Sequence, residues 1–285
     1  MEKITKIMLA TDFSDCADNA LQYAMKIAHA GGGKLSVLNA YEVPVVAPVN
    51  VFTTLEDTVK VVSQDMKASS TAKLRRLQSD INNLQVTTAT KEGRPSQTIK
   101  EQVLTDKPDL LVMGTRGINA DRGLFMGSTA VAVMREVSCP LLAVPKDARN
   151  PKISKIAYAT DLKYDETSIL EYVIKFAAVF SAEVVILHID KQFDDSEWRQ
   201  DLMQDLKAGT GYDKVFYRDV VNDNTLEGIN EFVEEYGVDI LATTTSNTSL
   251  FERLLNKSVT KELLMHTHIP MLIFNRKKHD MIFFS

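Results

Sequence analysis

The sequence is poor in residues that mark several classes of protein. Its two cysteines, Cys16 and Cys139, stand 123 positions apart and outside any CxxC motif, which excludes a disulfide framework or zinc signature. We interpret both as small buried side chains without a redox role. No apolar run approaches the roughly 20 residues that span a bilayer. We therefore expect a soluble, cytoplasmic protein with no membrane partner.

Basic residues are outnumbered by acidic ones. The chain has 33 Lys and Arg against 38 Asp and Glu, a formal net charge of −5, whereas binding to a phosphate backbone needs a basic surface. Nucleic acid is therefore not the expected partner. With only 12 Gly and 8 Pro among 285 residues, the composition is that of a folded protein, and the length predicts two domains, each with its own core.

An internal repeat organises the chain. The segment KIMLATD, which begins at Lys6, returns as KIAYATD from Lys155, an offset of 149. The segments PDLLV at Pro108 and VDILA at Val238 correspond with an offset of 130. The first copy is therefore longer by about 19 residues, which we place in the long helical stretch after its second strand.

Short β-branched runs alternate with stretches of helical period in both copies, which predicts βαβ units. The predicted fold class is α/β, with two tandem doubly wound domains, each a five-stranded parallel sheet flanked by helices. A polar linker divides domain 1–147 from domain 148–285. The strands are expected near 5–11, 34–41, 86–91, 109–113 and 141–145, and near 153–159, 183–189, 214–219, 239–243 and 270–274. Such sheets bind ligands outside the carboxyl ends of their strands.

Two further patterns concern helices of the first copy. Apolar residues at helical spacing from Leu55 through Met66 and on to Leu84 predict one long helix. The run Gly31-Gly32-Gly33-Lys34 imitates a phosphate-binding P-loop, but Leu35 follows the lysine where Ser or Thr is needed. We interpret this run as a helix C-cap and turn.

A glycine-bearing loop follows the fourth strand of the first copy. Gly114 and Gly117 stand at its start, and after nine more residues Gly127-Ser128-Thr129 opens a helix. Glycine permits positive φ and close approach of a ligand, while a helix N-terminus presents free N–H groups and about half a positive charge. This strand–loop–helix arrangement predicts an anion site.

The spacing G-x-x-G-x9-G-[ST] resembles the ATP-binding signature of the universal stress protein family, and its strand–loop–helix context makes the match specific. Residues 10–14 at the end of the first strand and Ser138-Cys139-Pro140 before the fifth also resemble that family. The resemblance covers nearly the full length of both copies, so the chain looks like a tandem two-domain member. It implies a regulatory nucleotide-binding protein of the stress response.

The resemblance also implies a ligand, ATP with Mg²⁺, in the first copy. Asp12, which follows Thr11 in the turn after the first strand, is expected beside the ribose and phosphates or the metal ion. The alternative is that it is the N-cap or a first-turn carboxylate of the helix starting near Ser14. Ala10 and Ala40 are expected to offer backbone contacts to adenine, and Arg116 and Arg122 are candidates to neutralise phosphate. The residues expected around the ribose and phosphates are Met113, Gly114, Thr115, Arg116, Gly117, Asn119, Gly127, Ser128, Thr129 and Ala130.

The second copy has lost the glycines. A gap-free alignment places Thr244, Asn247 and Lys257 opposite Gly114, Gly117 and Gly127, although Ser258 and Asp161 still match Ser128 and Asp12. A β-carbon at these positions crowds a nucleotide or penalises the backbone, so we expect one ATP per chain. His266 and His268 have no Cys or carboxylate partner at ligand spacing, and we expect no metal there.

Three functions remain open at this point. The leading one is a regulatory ATP-binding protein; the others are a slow ATP hydrolase and a scaffold whose nucleotide site is vestigial. An enzyme needs a positioned base, and only Asp12 is a candidate, so we expect no efficient catalysis. Family members pair through their fifth strands, which implies that residues 141–145 lie antiparallel to 271–275 within the chain. A homodimer of whole chains is a further alternative that the sequence does not fix.

Overall fold

The structure is a computed structural model, and it describes residues 4–44, 55–81, 83–117, 127–148, 151–160, 166–190, 198–245 and 269–275. Strands and helices alternate along these ranges. The first half contains β1 (Lys6–Ala10), α1 (Asp15–Gly31), β2 (Lys34–Tyr41), α2 (Leu55–Asp80), β3 (Gln85–Glu92), α3 (Pro95–Asp106), β4 (Leu110–Gly114), α4 (Ser128–Glu136) and β5 (Leu141–Val144). The second contains β6 (Lys155–Thr160), α5 (Thr167–Val179), β7 (Glu183–Asp190), α6 (Trp198–Thr210), β8 (Val215–Val221), α7 (Thr225–Tyr236), β9 (Ile240–Thr245) and β10 (Met271–Asn275).

The strands form a mostly parallel sheet in the order β3-β2-β1-β4-β5-β10-β9-β6-β7-β8. Each half contributes five parallel strands, so the predicted α/β class is confirmed, and every strand lies within two residues of its predicted bounds. At the centre, β5 and β10 run antiparallel, with Leu142 opposite Leu272. This pairing joins the two halves into one ten-stranded sheet and covers an edge that each half would otherwise expose.

The apolar core is divided by the sheet, not by the halves. One cluster lies beneath α1, α2, α5 and α6, and the other lies beneath α3, α4 and α7. Both clusters contain residues from both halves, because the β5–β10 pairing makes each face of the sheet continuous. The expectation of a separate core in each half is therefore wrong.

The extra residues of the first copy lie where the repeat predicted them. Leu35 pairs with Val86 in the first half, whereas the corresponding Val184 pairs with Val215, so the first copy is longer by about 20 residues between these two strands. The difference falls in the helical stretch, since α2 has 26 residues and α6 has 13. The prediction that α2 continues to Leu84 is wrong, because the helix ends at Asp80.

Polar contacts also cross between the halves. Tyr172 of α5 donates its hydroxyl hydrogen to the carbonyl of Asp109 at 2.7 Å, and the Asn275 side chain donates to the carbonyl of Arg135 at 2.7 Å.

At the end of α1, Gly32 has φ of 65° and its N–H reaches the carbonyls of Ala28 and His29, which confirms the predicted C-cap. Among the described helices, none is both long and apolar enough to cross a membrane.

Candidate functional site

A cavity of about 430 Å³ opens at the carboxyl ends of β1, β2 and β4. Strand order reverses next to β1, since β2 lies on one side of it and β4 on the other. In a doubly wound sheet the connections on either side of such a point leave in opposite directions, and a crevice forms between them. The fold therefore places a concave surface where the glycine loop begins.

All of the predicted site residues that the structure describes line this cavity, and Asn119 and Arg122 lie outside the described residues. They come from three places along the chain: the end of β1, the end of β2, and the segment from β4 to α4. Those lining residues are Ala10, Thr11, Asp12, Ala40, Met113, Gly114, Thr115, Arg116, Gly117, Gly127, Ser128, Thr129 and Ala130.

The turn after β1 is fixed by its own polar side chains. Thr11 Oγ1 accepts from the N–H of Phe13 at 3.0 Å, and Asp12 Oδ1 accepts from the N–H of Ser14 at 3.1 Å. Ser14 itself is the N-cap of α1 and accepts from the N–H of Ala17. Asp12 is therefore neither the N-cap of α1 nor in its first turn, which begins at Asp15, although its carboxylate does hold the turn that leads into the helix.

Gly114 is required by helix packing. A Cβ there would lie 2.8 Å from Cys16 Cβ and 2.9 Å from the Cys16 carbonyl carbon, so α1 comes too close to the end of β4 for any larger residue. None of the three loop glycines has a positive φ. The expected backbone reason for these glycines is thus wrong, and close approach of chain to chain explains Gly114.

The other two glycines face the cavity. A Cβ at Gly117 would lie 2.5 Å from Asp12 Oδ2, so any side chain there displaces the carboxylate. A Cβ at Gly127 would lie 3.7 Å from the Thr115 carbonyl oxygen, an ordinary contact and the shortest one to any residue that the structure describes. Among those residues, none fills the room beside Gly127.

Helix α4 begins at the cavity with its first N–H groups available. Gly127 caps it with φ of −71° and no side-chain hydrogen bond, and its own N–H bonds to the Thr115 carbonyl at 2.7 Å, which closes the loop against β4. The first turn of a helix has N–H groups without partners inside the helix, and the dipole adds positive potential. With Ser128 and Thr129 beside it, this end of the cavity fits an anionic group.

The opposite end of the cavity is largely apolar and includes residues that the motif did not indicate. Asn39, despite its polarity, is committed within the fold: its amide donates to the Thr11 carbonyl at 2.7 Å, and its oxygen accepts from Ser70 at 2.5 Å. The spacing of α2 had marked Met66 only as a helical face residue. The additional lining residues at this end are Leu38, Asn39, Tyr41, Met66, Pro95 and Ile99, while Ala17 lines the cavity beside Gly114.

The two cysteines are buried thiols. Burial raises the pKa of Cys16 despite the nearby Arg116 guanidinium, and burial raises the pKa of Cys139 to about 12. Both thiols are therefore protonated near neutral pH and poor nucleophiles. In the described ranges, no three His, Cys, Asp or Glu side chains are grouped so as to hold a metal ion.

Of the positions that replace the glycines in the second half, the structure describes Thr244. Asn247, Lys257, Ser258 and Asp161 lie outside the described residues, as do His266 and His268. Thr244 occupies the Gly114 position in three dimensions, since it pairs with Phe274 as Gly114 pairs with Val144. The alignment of the two copies is therefore correct at this strand.

The fold and the cavity together define a doubly wound α/β protein with a crevice at the reversal of strand order. The sequence model of the universal stress protein family matches residues 3–145 and 152–275, so the chain belongs to this family and is a tandem two-domain member. Each match covers one of the two repeats.

Individual relatives agree with this assignment. A universal stress protein of Thermus aquaticus is 36% identical over 142 residues, which is 48% of this chain and 96% of the relative. A universal stress protein of Synechocystis is 24% identical and covers 94% of this chain and 99% of its own length. The crystal structure of a universal stress protein from Archaeoglobus fulgidus superimposes with a TM-score of 0.66 at 15% identity, covering 95% of this chain and 98% of that one, which shows a shared tandem fold.

Proposed function

We propose that the N-terminal half binds one ATP per chain, with Mg²⁺, and that the protein is a regulatory nucleotide-binding member of its family. The observation that carries this proposal is a single cavity with an apolar end and an anion-binding end. The whole cavity, of about 430 Å³, has the size of a small-molecule site, and the start of α4 suits phosphates.

Each part of the cavity has a task in this proposal. The backbone at Ala10 and Ala40, where β1 and β2 end, contacts the adenine, with Met66 and Ile99 packing against the ring. The N–H groups and hydroxyls from Gly127 to Thr129 hold the distal phosphates. Asp12, next to the glycine loop, is the residue suited to hold Mg²⁺, because carboxylate oxygen is a preferred ligand of this ion.

Acid extraction of the purified protein, followed by nucleotide chromatography, tests the proposal directly. We expect adenine nucleotide in the extract or, after its removal, a calorimetric titration with one ATP per chain. A chain that carries no nucleotide and gives no heat with ATP would support the alternative of a scaffold with a vestigial site. Whether ATP, ADP or AMP is held is read from the same chromatogram.

Catalysis has less support than binding. Phosphoryl transfer requires an aligned nucleophile as well as charge stabilisation, and Asp12 is the one carboxylate among the cavity residues that the structure describes. We therefore propose a binding protein with, at most, slow hydrolysis. The cytoplasmic location stays a prediction from the sequence.

A further inference from the structure

The two halves differ at the same three places around the cleft. The strand pairings relate them position by position, since Ile7 pairs with Leu110 in the first half as Ile156 pairs with Ile240 in the second. Carried along the repeat, Ala40 corresponds to Ile189, Ala17 to Glu166 and Gly114 to Thr244. All three residues of the first half line the cavity. In each case the second half has the larger side chain.

Ile189 reaches across the cleft at the end that corresponds to the base. A Cβ placed on Gly228 of α7 would lie 3.0 Å from Ile189 Cγ2 and 3.4 Å from Cδ1, so this side chain packs directly on the helix backbone. In the first half the short Ala40 leaves that space to the cavity, which extends to Pro95 and Ile99 of α3. The strand-to-helix gap is thus open in one half and bridged in the other.

Glu166 and Thr244 occupy the end that corresponds to the phosphates. Glu166 is only 7% exposed, and its carboxylate accepts from Thr160 Oγ1 at 2.6 Å and from Thr244 Oγ1 at 3.3 Å. By the repeat, the first residue of α1, Asp15, corresponds to position 164. Helix α5 begins at Thr167, which is three residues later. The helical turn that presses on Gly114 is therefore absent from α5, and the Thr244 side chain and the Glu166 carboxylate lie there instead.

A backbone acceptor is also engaged in the second half. The carbonyl of Ala159 accepts from Thr243 Oγ1 at 3.4 Å, whereas in the first half the residue corresponding to Thr243 is Met113, which has no hydroxyl to donate to the Ala10 carbonyl. In the second half, Ile189, Glu166 and the Ala159 carbonyl thus make contacts inside the protein, whereas the corresponding positions of the first half line the cavity.

We propose that Ile189 and Glu166 are specificity-determining residues that close the C-terminal cleft to nucleotide, Ile189 at the base end and Glu166, held by Thr160 and Thr244, at the phosphate end. The inference rests on the proposed nucleotide site of the first half for the identity of the excluded ligand. Nucleotide is then excluded by the side chains of Ile189 and Glu166. The replacement of the loop glycines by Asn247 and Lys257 is a separate difference between the halves.

The test restores the residues of the first half in the full chain: Ile189→Ala, Glu166→Ala and Thr244→Gly together. The ligand is adenosine, because it lacks phosphates and so does not depend on the second glycine loop. Calorimetry counts equivalents bound by the wild type and by the triple variant. We expect one additional equivalent in the variant, and Val185→Ala on the same strand, away from the carboxyl end, is the matched control without a gain.

The two proposals fail in different ways. The wild-type count tests the first-half site, whereas the difference between variant and wild type tests the closure. A wild type that binds no adenosine would overturn both proposals, because the excluded ligand is then not an adenine nucleotide. A wild type with one equivalent and a folded triple variant with no additional one would overturn the closure alone. If the triple variant does not fold by circular dichroism, Ile189→Ala alone opens the base end; an additional, weaker equivalent supports the inference and none overturns it.

Discussion

Gly127→Val is the substitution that separates ligand binding from folding most cleanly. Within the described part of the chain, no atom lies closer than 3.7 Å to a Cβ built on Gly127, so the new side chain begins in open space at the start of α4. The residue has φ of −71° and ψ of 162°, a conformation that valine adopts readily. We therefore expect an unchanged melting temperature.

The loss of affinity follows from the bonds that the phosphates forfeit. A hydrogen bond to a charged group contributes about 1.5–3 kcal/mol, and a valine at the helix start displaces phosphates from at least two N–H donors. The expected loss is about 3 kcal/mol or more, which is a factor of at least about 100 in the dissociation constant of ATP. Calorimetric titration measures it, and adenosine should lose much less because it has no phosphates.

Substitutions at two other glycines serve as comparisons for Gly127→Val. Gly114→Ala puts a Cβ 2.8 Å from Cys16 Cβ, and such overpacking costs about 1–3 kcal/mol of folding free energy. Gly209→Ala in α6, where no atom of the described residues lies within 4 Å of the new Cβ, is the control without a clash, and it should not lower stability because alanine favours a helix more than glycine does. If Gly127→Val binds ATP like the wild type while its circular dichroism is unaltered, the phosphates do not lie at α4 and the reasoning is refuted.

Four other predictions concern the central β5–β10 pairing, the dependence of stability on pH, the rate of phosphate release and the number of ATP molecules bound per chain. Leu142→Ala, in the fully buried β5–β10 pair, should lower stability by about 2–5 kcal/mol and still give one calorimetric transition, whereas two transitions would mean that the halves unfold separately. Burial, with the charge of Asp239, raises the pKa of Tyr23 from 10.0 to about 12, so the folded state retains the proton longer and stability should fall as pH rises from 10 to 12; Tyr23→Phe should flatten that fall in alkaline denaturation curves. Phosphate release should stay far below the typical enzyme median of about 10 per second, and a rate at that level lost in Asp12→Asn would contradict the binding role. Hydrogen exchange with ATP should protect the first turn of α4 and leave Thr244 unchanged, and equal protection in both halves would contradict one site per chain.

The sequence predicted the architecture well because the repeat and the strand periodicity are local signals. It also located the cavity, since strand ends and a glycine loop before a helix are visible as motifs. Met66, Pro95 and Ile99 were not associated with the site because they reach it from α2 and α3, and a hydrophobic residue at helical spacing looks the same whether it faces a core or a ligand. The division of the core was wrong although the family resemblance implied the central strand pairing, because the number of cores was inferred from chain length, which says nothing about the continuous sheet faces that this pairing creates.

The motif correctly indicated that Gly114 belongs to the site, but the physical reason for a glycine at this position differs from the expected one. Its position in the family signature suggested a contact with ligand, but the structure uses its missing Cβ to let α1 approach β4. The approach nonetheless serves the site, because Ala17 of that first turn lines the cavity. The missing Cβ of Gly114 thus shapes the cavity indirectly, because it lets the first turn of α1 approach the end of β4.

The same contact explains why the loss of a glycine in the second half is not an isolated change. Thr244 has a Cβ where α1 presses on Gly114, so it fits only because α5 begins later. Its hydroxyl then lies at a buried strand end and needs a partner, which the Glu166 carboxylate provides. Thr160 and Thr244 in turn donate to the buried Glu166 carboxylate, which offsets part of the cost of its burial. Each replacement would be unfavourable alone, since it leaves a clash or a buried polar group without its partner, and together they form a closed polar contact.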